Sequence, residues 1–130
     1  MSRTVFEPSG QHVLADLYGI SPGHLNHPET IEQLLRSSAQ AAGATVLSSH
    51  FHAFGSNGGV TGIVILAESH ISIHTWPEFG FAAVDIFMCG DSQPHCALDV
   101  MQRAFAASSS TVKTIARGAV HSIEIKSLSA

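Results

Sequence analysis

Residues 68–78 bring together more groups capable of chemistry than the chain on either side of them. The stretch reads Glu-Ser-His-Ile-Ser-Ile-His-Thr-Trp-Pro-Glu and holds two carboxylates, two imidazoles, two serine hydroxyls and the single Trp of the chain. Enzymes use such side chains as acids, bases and nucleophiles. We therefore take this stretch as the candidate centre of the protein's chemistry.

Polar and apolar side chains alternate along residues 70–74. This alternation predicts a half-buried strand that buries two Ile and presents two His and a Ser to a cleft. The same pattern, taken alone, also fits an exposed polar face. An apolar run over residues 62–67 precedes the stretch, so a reactive bond between Glu68 and Ser69 would lie at the end of a strand.

Length and charge narrow the classes of protein to consider. A chain of 130 residues predicts one domain over 1–130 with a core of ordinary size. A net charge of -4 and only six Lys and Arg argue against a nucleic-acid surface. The apolar runs are too short for a membrane span, and no signal-like segment follows the first residues. We expect a cytosolic protein that binds neither nucleic acid nor membrane.

Cysteine and histidine content raise the question of a metal. Cys89 and Cys96 are too few and too isolated for a disulfide framework or a zinc knuckle. Nine His keep a metal-binding protein open as an alternative. Their spacing is poor for ligands, because the close His pairs lie on predicted strands without a Cys pair or a helical Glu-x-x-His. We predict no metal.

Periodicity and turn residues predict the elements that position these groups. Asn26, Pro28 and Glu29 form a helix-start signature, and Gly43 ends that helix. Asn and Gly in the 56–59 turn suit positive φ. Strands are predicted at 11–18, 45–54, 60–67, 70–75, 81–88, 111–116 and 119–125, and a second helix opens at Ser92 and Pro94 and closes at Ser108–Ser110. The 81–88 strand is apolar except at Asp85, which predicts burial on both of its faces.

The order of these elements predicts the fold class. Strands and helices do not alternate regularly, which favours an α+β two-layer sandwich with two helices on one face of a mainly antiparallel sheet. The other face of the sheet must then be covered. We expect a second copy to cover it, sheet against sheet, in an αββα dimer.

Three motifs carry a resemblance to a known family. Glu68-Ser69-His70, the His-Thr-Trp-Pro-Glu of 74–78, and the Ala-Val-Asp-Ile-Phe-Met-Cys-Gly of 83–90 resemble the small prokaryotic S-adenosylmethionine decarboxylases. The similarity extends from about residue 10 to residue 118, and the family's fold agrees with the sandwich above. The resemblance implies a proenzyme that cuts itself between Glu68 and Ser69 into a β chain, 1–68, and an α chain, 69–130.

The resemblance also implies a cofactor, because Ser69 would become a pyruvoyl group. Decarboxylation leaves electrons on Cα that no ordinary side chain can hold, whereas a pyruvoyl carbonyl condensed with the substrate amine can accept them. To form it, the Ser69 hydroxyl would attack the Glu68 carbonyl, and the ester would then eliminate. By resemblance the processing base is His74 and the assisting hydroxyl is Thr61, where the family usually has Ser. That change and a longer 55–59 loop bear on the rate of cleavage.

Further roles follow from the same resemblance. Cys89 would return the proton to the product, as a thiol can near neutral pH, although an isolated Cys is more often a small buried hydrophobe. Glu78 would accept hydrogen bonds from the ribose, and Trp76 and Phe54 would contact the adenine and sulfonium, although Phe54 also fits core packing. His70 has no assigned role, and Cys96 is interpreted as structural.

The leading hypothesis is a self-processing, pyruvoyl-dependent decarboxylase of S-adenosylmethionine that supplies the aminopropyl donor for spermidine, as a homodimer of αβ units or a larger assembly. One alternative is a pyruvoyl-dependent decarboxylase of arginine or ornithine. Another is a processing-deficient, non-enzymatic homologue, which should have lost Ser69, His74 or Cys89. All three are present. Asp16 and Asp85 are acidic residues able to hold a diamine activator, but one buried carboxylate does not make a site.

Overall fold

The computed structural model describes residues 8–118, so the strand predicted at 119–125 lies outside the described residues. The strands are β1 Gly10–Tyr18, β2 Val46–Ala53, β3 Val60–Leu66, β4 Ser69–Trp76, β5 Phe81–Cys89 and β6 Ser109–Arg117. The helices are α1 Pro28–Ala41 and α2 Pro94–Phe105, with short 3-10 turns at Pro22–His24 and Pro77–Phe79. None of the helices within 8–118 is long and apolar enough to cross a membrane.

The strands form one sheet in the order β2-β3-β4-β5-β1-β6, with antiparallel neighbours throughout. Both helices pack on the same face: α1 covers β2 and β3, and α2 covers β1 and β5. The core between the layers includes Leu35 of α1, Met101 of α2, and Ile71 and Ile73 of β4, all fully buried. The predicted α+β two-layer sandwich is confirmed, and the pairing of two copies stays a prediction.

Only one face of the central strands is fully buried. Along β5 the even-numbered residues from 82 to 88 are buried, whereas Phe81, Asp85, Phe87 and their neighbours on the other side are half-buried. The prediction that β5 is buried on both faces is therefore wrong for a single copy, because the helices cover one face alone. We call the other side of the sheet the open face.

Helix ends differ from the sequence predictions by a few residues. Helix α1 begins at Pro28 with His27 as its N-cap and no side-chain capping bond, because the fixed φ of Pro suits the first helical position. The predicted first residue, Asn26, lies one position before this N-cap. Helix α2 ends at Phe105, where Ala106 adopts a left-handed conformation, and two of the predicted closing serines belong to β6 instead.

The glycines in the loop between β2 and β3 are needed for a different reason from the predicted one. Positive φ occurs at Gly55, at 81°, and at neither Gly58 nor Gly59. Those two glycines are required by space, since a Cβ would lie 1.7 Å from the Phe54 oxygen at Gly58 and 2.1 Å from the Thr75 oxygen at Gly59. Their lack of a side chain lets the loop lie against the end of β4.

Candidate active site

Strand β4 carries the candidate residues from one end to the other. It lies in the middle of the sheet between β3 and β5, and its two Ile side chains anchor it in the core. The predicted alternation is confirmed, because His70, Ser72 and His74 lie on the opposite, open face. A two-residue turn, Ala67 and Glu68, joins β3 to β4, so the Glu68–Ser69 peptide lies at the start of the strand.

Ser69 and Cys89 meet at this end of β4. Antiparallel pairing places Ser69 opposite Met88, which brings the last residue of β5 beside the first residue of β4. The Ser69 Oγ lies 3.7 Å from the Cys89 Sγ, and both residues are half-buried. On the adjacent strand, a Cβ at Gly10 would lie 3.2 Å from this Sγ and 2.7 Å from the Met88 oxygen. Glycine at position 10 thus leaves room for the thiol.

The backbone at Ser69, directly after the predicted cleavage site, has an unusual conformation. Ser69 has a φ of 148°, a conformation that L residues rarely adopt and that costs about 1–3 kcal/mol. The carbonyl oxygen of Glu68 accepts a hydrogen bond from the Cys89 backbone N–H at 3.1 Å. An N–H donor at this position can stabilise negative charge that develops on the carbonyl oxygen during attack by a hydroxyl.

Thr61 and His74 meet near the opposite end of β4. They are cross-strand partners between β3 and β4, and the Thr61 Oγ1 and His74 Nδ1 share a hydrogen bond of 3.1 Å. They line a cleft of about 340 Å³ together with the three residues predicted to bind substrate. Those residues are Phe54, Trp76 and Glu78.

The aromatic side chains of this cleft are accessible. Trp76 is 39 % exposed and lies between His74 and Phe81, with ring centroids 6.2 and 5.3 Å away. Phe54 is 58 % exposed and contacts the His52 ring edge-on at 4.7 Å, which removes the core-packing interpretation of Phe54. The exposed rings of Trp76 and Phe54 can therefore contact a flat or cationic ligand in the cleft.

Thr75 is a supporting residue that the sequence analysis missed. Its buried hydroxyl donates a hydrogen bond to the Leu25 carbonyl at 2.7 Å and accepts one from the Val60 N–H at 2.8 Å. These bonds fix the start of β3 against β4, directly beside Thr61 and His74. A lone Thr in a strand gives no sequence signal for this role, because both partners are backbone groups distant along the chain.

The two pairs lie far apart within one chain. Ser69 and His74 are five residues apart on one strand, which corresponds to about 17 Å at roughly 3.3 Å per residue. The structure thus joins Ser69 with Cys89 and Thr61 with His74, but it does not bring His74 to Ser69. A single copy cannot place the predicted processing base at the bond that it should act on.

A polar cluster on the open face was also missed by the sequence analysis. Ser72 donates a hydrogen bond to Asp85 at 3.4 Å, and the His12 Nε2 lies 4.0 Å from the same carboxylate. Burial, and secondarily His12, lower the pKa of His70, while Asp85 acts in the opposite direction. The cluster joins three strands, so the spacing within one motif could not reveal it.

The remaining candidate residues are the possible metal ligands and Cys96. Within residues 8–118, no group of three or more His, Cys, Asp or Glu side chains could hold a metal ion. Cys96 is exposed on α2, so it is not the buried structural residue that the sequence suggested.

Comparisons with known proteins give the family. The family model described as S-adenosylmethionine decarboxylase matches residues 11–118. An S-adenosylmethionine decarboxylase proenzyme from Clostridium kluyveri is 46% identical over 110 residues, which cover 84% of this chain and 86% of the relative. One from Hydrogenobaculum is 44% identical over 112 residues, covering 85% and 83% of the two chains.

A solved structure agrees with these relatives. The crystal structure of the adenosylmethionine decarboxylase from Aquifex aeolicus matches with a TM-score of 0.81 and 41% identity, over 88% of this chain and 94% of that one. The resemblance inferred from the three sequence motifs is confirmed. The chain belongs to the S-adenosylmethionine decarboxylase family.

Proposed function

We propose that this chain is a proenzyme that cleaves itself between Glu68 and Ser69 and then decarboxylates S-adenosylmethionine. The observation that supports this most directly is the strained Ser69, with its hydroxyl beside the Cys89 thiol and the preceding carbonyl bonded to the Cys89 N–H. The names of the relatives, which are S-adenosylmethionine decarboxylase proenzymes, agree with both halves of the proposal.

Self-cleavage begins with attack of the Ser69 Oγ on the carbonyl carbon of Glu68. The peptide C–N bond breaks, the freed amine takes a proton, and an ester joins residues 68 and 69. During the attack, the Cys89 N–H stabilises the negative charge on the carbonyl oxygen. Relief of the Ser69 strain favours the change, since an ester no longer constrains that backbone as a planar peptide does.

The ester is then lost by elimination. A base removes the Cα proton of Ser69, the Cβ–O bond breaks, and the carboxylate of Glu68 leaves as the new end of the β chain. The resulting enamine at residue 69 tautomerises, takes up water and releases ammonia, which leaves a pyruvoyl group at the start of the α chain. His74, held by its hydrogen bond to Thr61, is the base in this proposal.

A second copy supplies the missing proximity. In a two-fold dimer, one surface meets the same surface of its partner, so residues at opposite ends of β4 can meet across the interface. The open face carries exposed apolar side chains suited to burial by a sheet, including Ile65, Tyr18 and Ile115, which are 38% to 45% exposed. We infer two sites per αββα dimer, each with Ser69 and Cys89 of one copy and Thr61 and His74 of the other.

The processed site needs few further groups. A pyruvoyl carbonyl supplies the electron acceptor that decarboxylation of an amino acid requires. Cys89 lies beside residue 69 and returns the proton to the product carbon. The cleft supplies binding: Glu78 accepts hydrogen bonds from ribose hydroxyls, and Phe54 and Trp76 offer aromatic faces to the adenine and the cationic sulfonium.

Release of CO2 from substrate labelled at the carboxyl carbon tests the activity. We expect release from S-adenosylmethionine by the purified protein, and none by a Ser69→Ala variant. Equal or faster release of CO2 from arginine or ornithine would indicate that the substrate is that amino acid instead. A protein inactive on all three would favour the non-enzymatic homologue.

A further inference from the structure

The side chain of Glu68 has no part in the cleavage steps above, yet it is held in place. Its Oε1 accepts a hydrogen bond from the Thr45 backbone N–H at 2.9 Å. In return, the N–H of Ala67 donates to the Thr45 carbonyl, also at 2.9 Å. Both backbone groups of Thr45 are therefore bonded to the turn that precedes the cut, and we call this pair of bonds the Thr45 clamp.

The Thr45 clamp rests on the segment that joins α1 to β2. The residue before it, Ala44, is 9% exposed, and its N–H bonds to the carbonyl of Ala39 in the last turn of α1 at 3.0 Å. The residue after it begins β2. On the opposite side, the Glu68 carbonyl is bonded to the end of β5. The residue before the cut is thus bonded on two sides, to the segment that joins α1 to β2 and to the end of β5.

This matters because the turn has only two residues and leads into the strained Ser69. A reacting hydroxyl and carbonyl must be held close together and aligned, and a displacement of about 1 Å can cost roughly 100-fold in rate. Without the side-chain bond, the turn can relax and Ser69 can leave its φ of 148°. The Glu68 carbonyl would then shift relative to the Ser69 hydroxyl.

We propose that the Glu68 carboxylate is a positioning residue for self-cleavage, acting through its hydrogen bond to the Thr45 N–H. This inference rests on the proposed self-cleavage. The bond requires an acceptor oxygen and no charge, so a Gln side chain of the same length can replace it. The role belongs to the attack step, in which the carbonyl must be aligned, and not to the later elimination.

The experiment follows cleavage by intact mass after cell-free synthesis of wild type, Glu68→Ala and Glu68→Gln. We expect Glu68→Ala to slow cleavage roughly 10- to 100-fold and Glu68→Gln to recover most of that loss. Hydroxylamine, which cuts the ester, should release fewer fragments early from Glu68→Ala than from wild type, because attack is the slowed step. Glu29→Ala, which removes an exposed carboxylate on α1, is the matched control and should cleave normally.

Three cleavage results for the variants would overturn the proposal. These are Glu68→Ala cleaving at the wild-type rate, Glu68→Gln being as slow as Glu68→Ala, and a hydroxylamine-sensitive ester accumulating in Glu68→Ala. The melting temperature is compared in a Ser69→Ala background, which cannot cleave. A large drop in melting temperature caused by Glu68→Ala would mean that Glu68 stabilises the fold, and it would also count against the proposal. A wild-type chain that stays whole would overturn self-cleavage itself, together with this role.

Discussion

Mixing two inactive variants tests whether each site is shared between copies. Ser69→Ala has no hydroxyl to attack with, and His74→Ala lacks the proposed base, so each variant alone should stay uncut. In a mixed dimer, one site combines Ser69 of the His74→Ala chain with His74 of the Ser69→Ala chain, and that site is complete. The other site lacks both groups. The separation of about 17 Å between the two residues along one strand keeps them from meeting within one copy.

The expected yield follows from random pairing. With equal co-expression, about half of the dimers are mixed, and each contains one chain that can be cut. About half of the His74→Ala chains, and none of the Ser69→Ala chains, should therefore be cleaved. Intact mass spectrometry of differently tagged chains reads this directly. If the His74→Ala chain stays whole in the mixture, the shared site is refuted; if it is cut when expressed alone, His74 is not the base.

Three further predictions concern single residues. Thr61→Val keeps the shape but loses the bond to His74, so it should slow cleavage roughly 10- to 100-fold while Thr61→Ser stays active, as followed by intact mass. Cys89→Ala keeps the backbone N–H that bonds Glu68, so it should still be cut, yet CO2 release should fall at least about 100-fold. The pKa of His70 is lowered below its ordinary 6.5, so the unfolded chain binds the proton first and stability should fall as the pH drops below about 6.5. Denaturant titrations should show this slope, and His70→Gln should reduce it; an unchanged slope would contradict the assignment.

The strands and the family could be predicted from the sequence because their signals are local. Alternation of Ile with His and Ser predicted β4, and its buried and open faces are confirmed. The start of α1 was misplaced by one residue, because the Asn26 signature competes with a Pro two positions later that fixes the first helical turn. The pattern of residues reports where a strand lies along the chain, to within two residues at each end, and not which strand it pairs with.

The arrangement of the site depends on how the strands pair, so it could not be predicted from the sequence. The bond from Thr61 to His74 follows from the register of β3 against β4, which no local pattern reports. The separation of His74 from Ser69 follows from strand geometry once both lie on β4. The Thr45 clamp joins residues 23 apart through backbone atoms, whose identity is the same at every position.

The intact mass of the purified protein under denaturing conditions tests the central claim most directly. Self-cleavage predicts two species: residues 1–68 with an unmodified end, and residues 69–130 lighter than their sequence mass by the change from Ser to pyruvoyl. A single species at 13.7 kDa after long incubation would contradict the claim. The chain would then be a member of the family that has lost its processing.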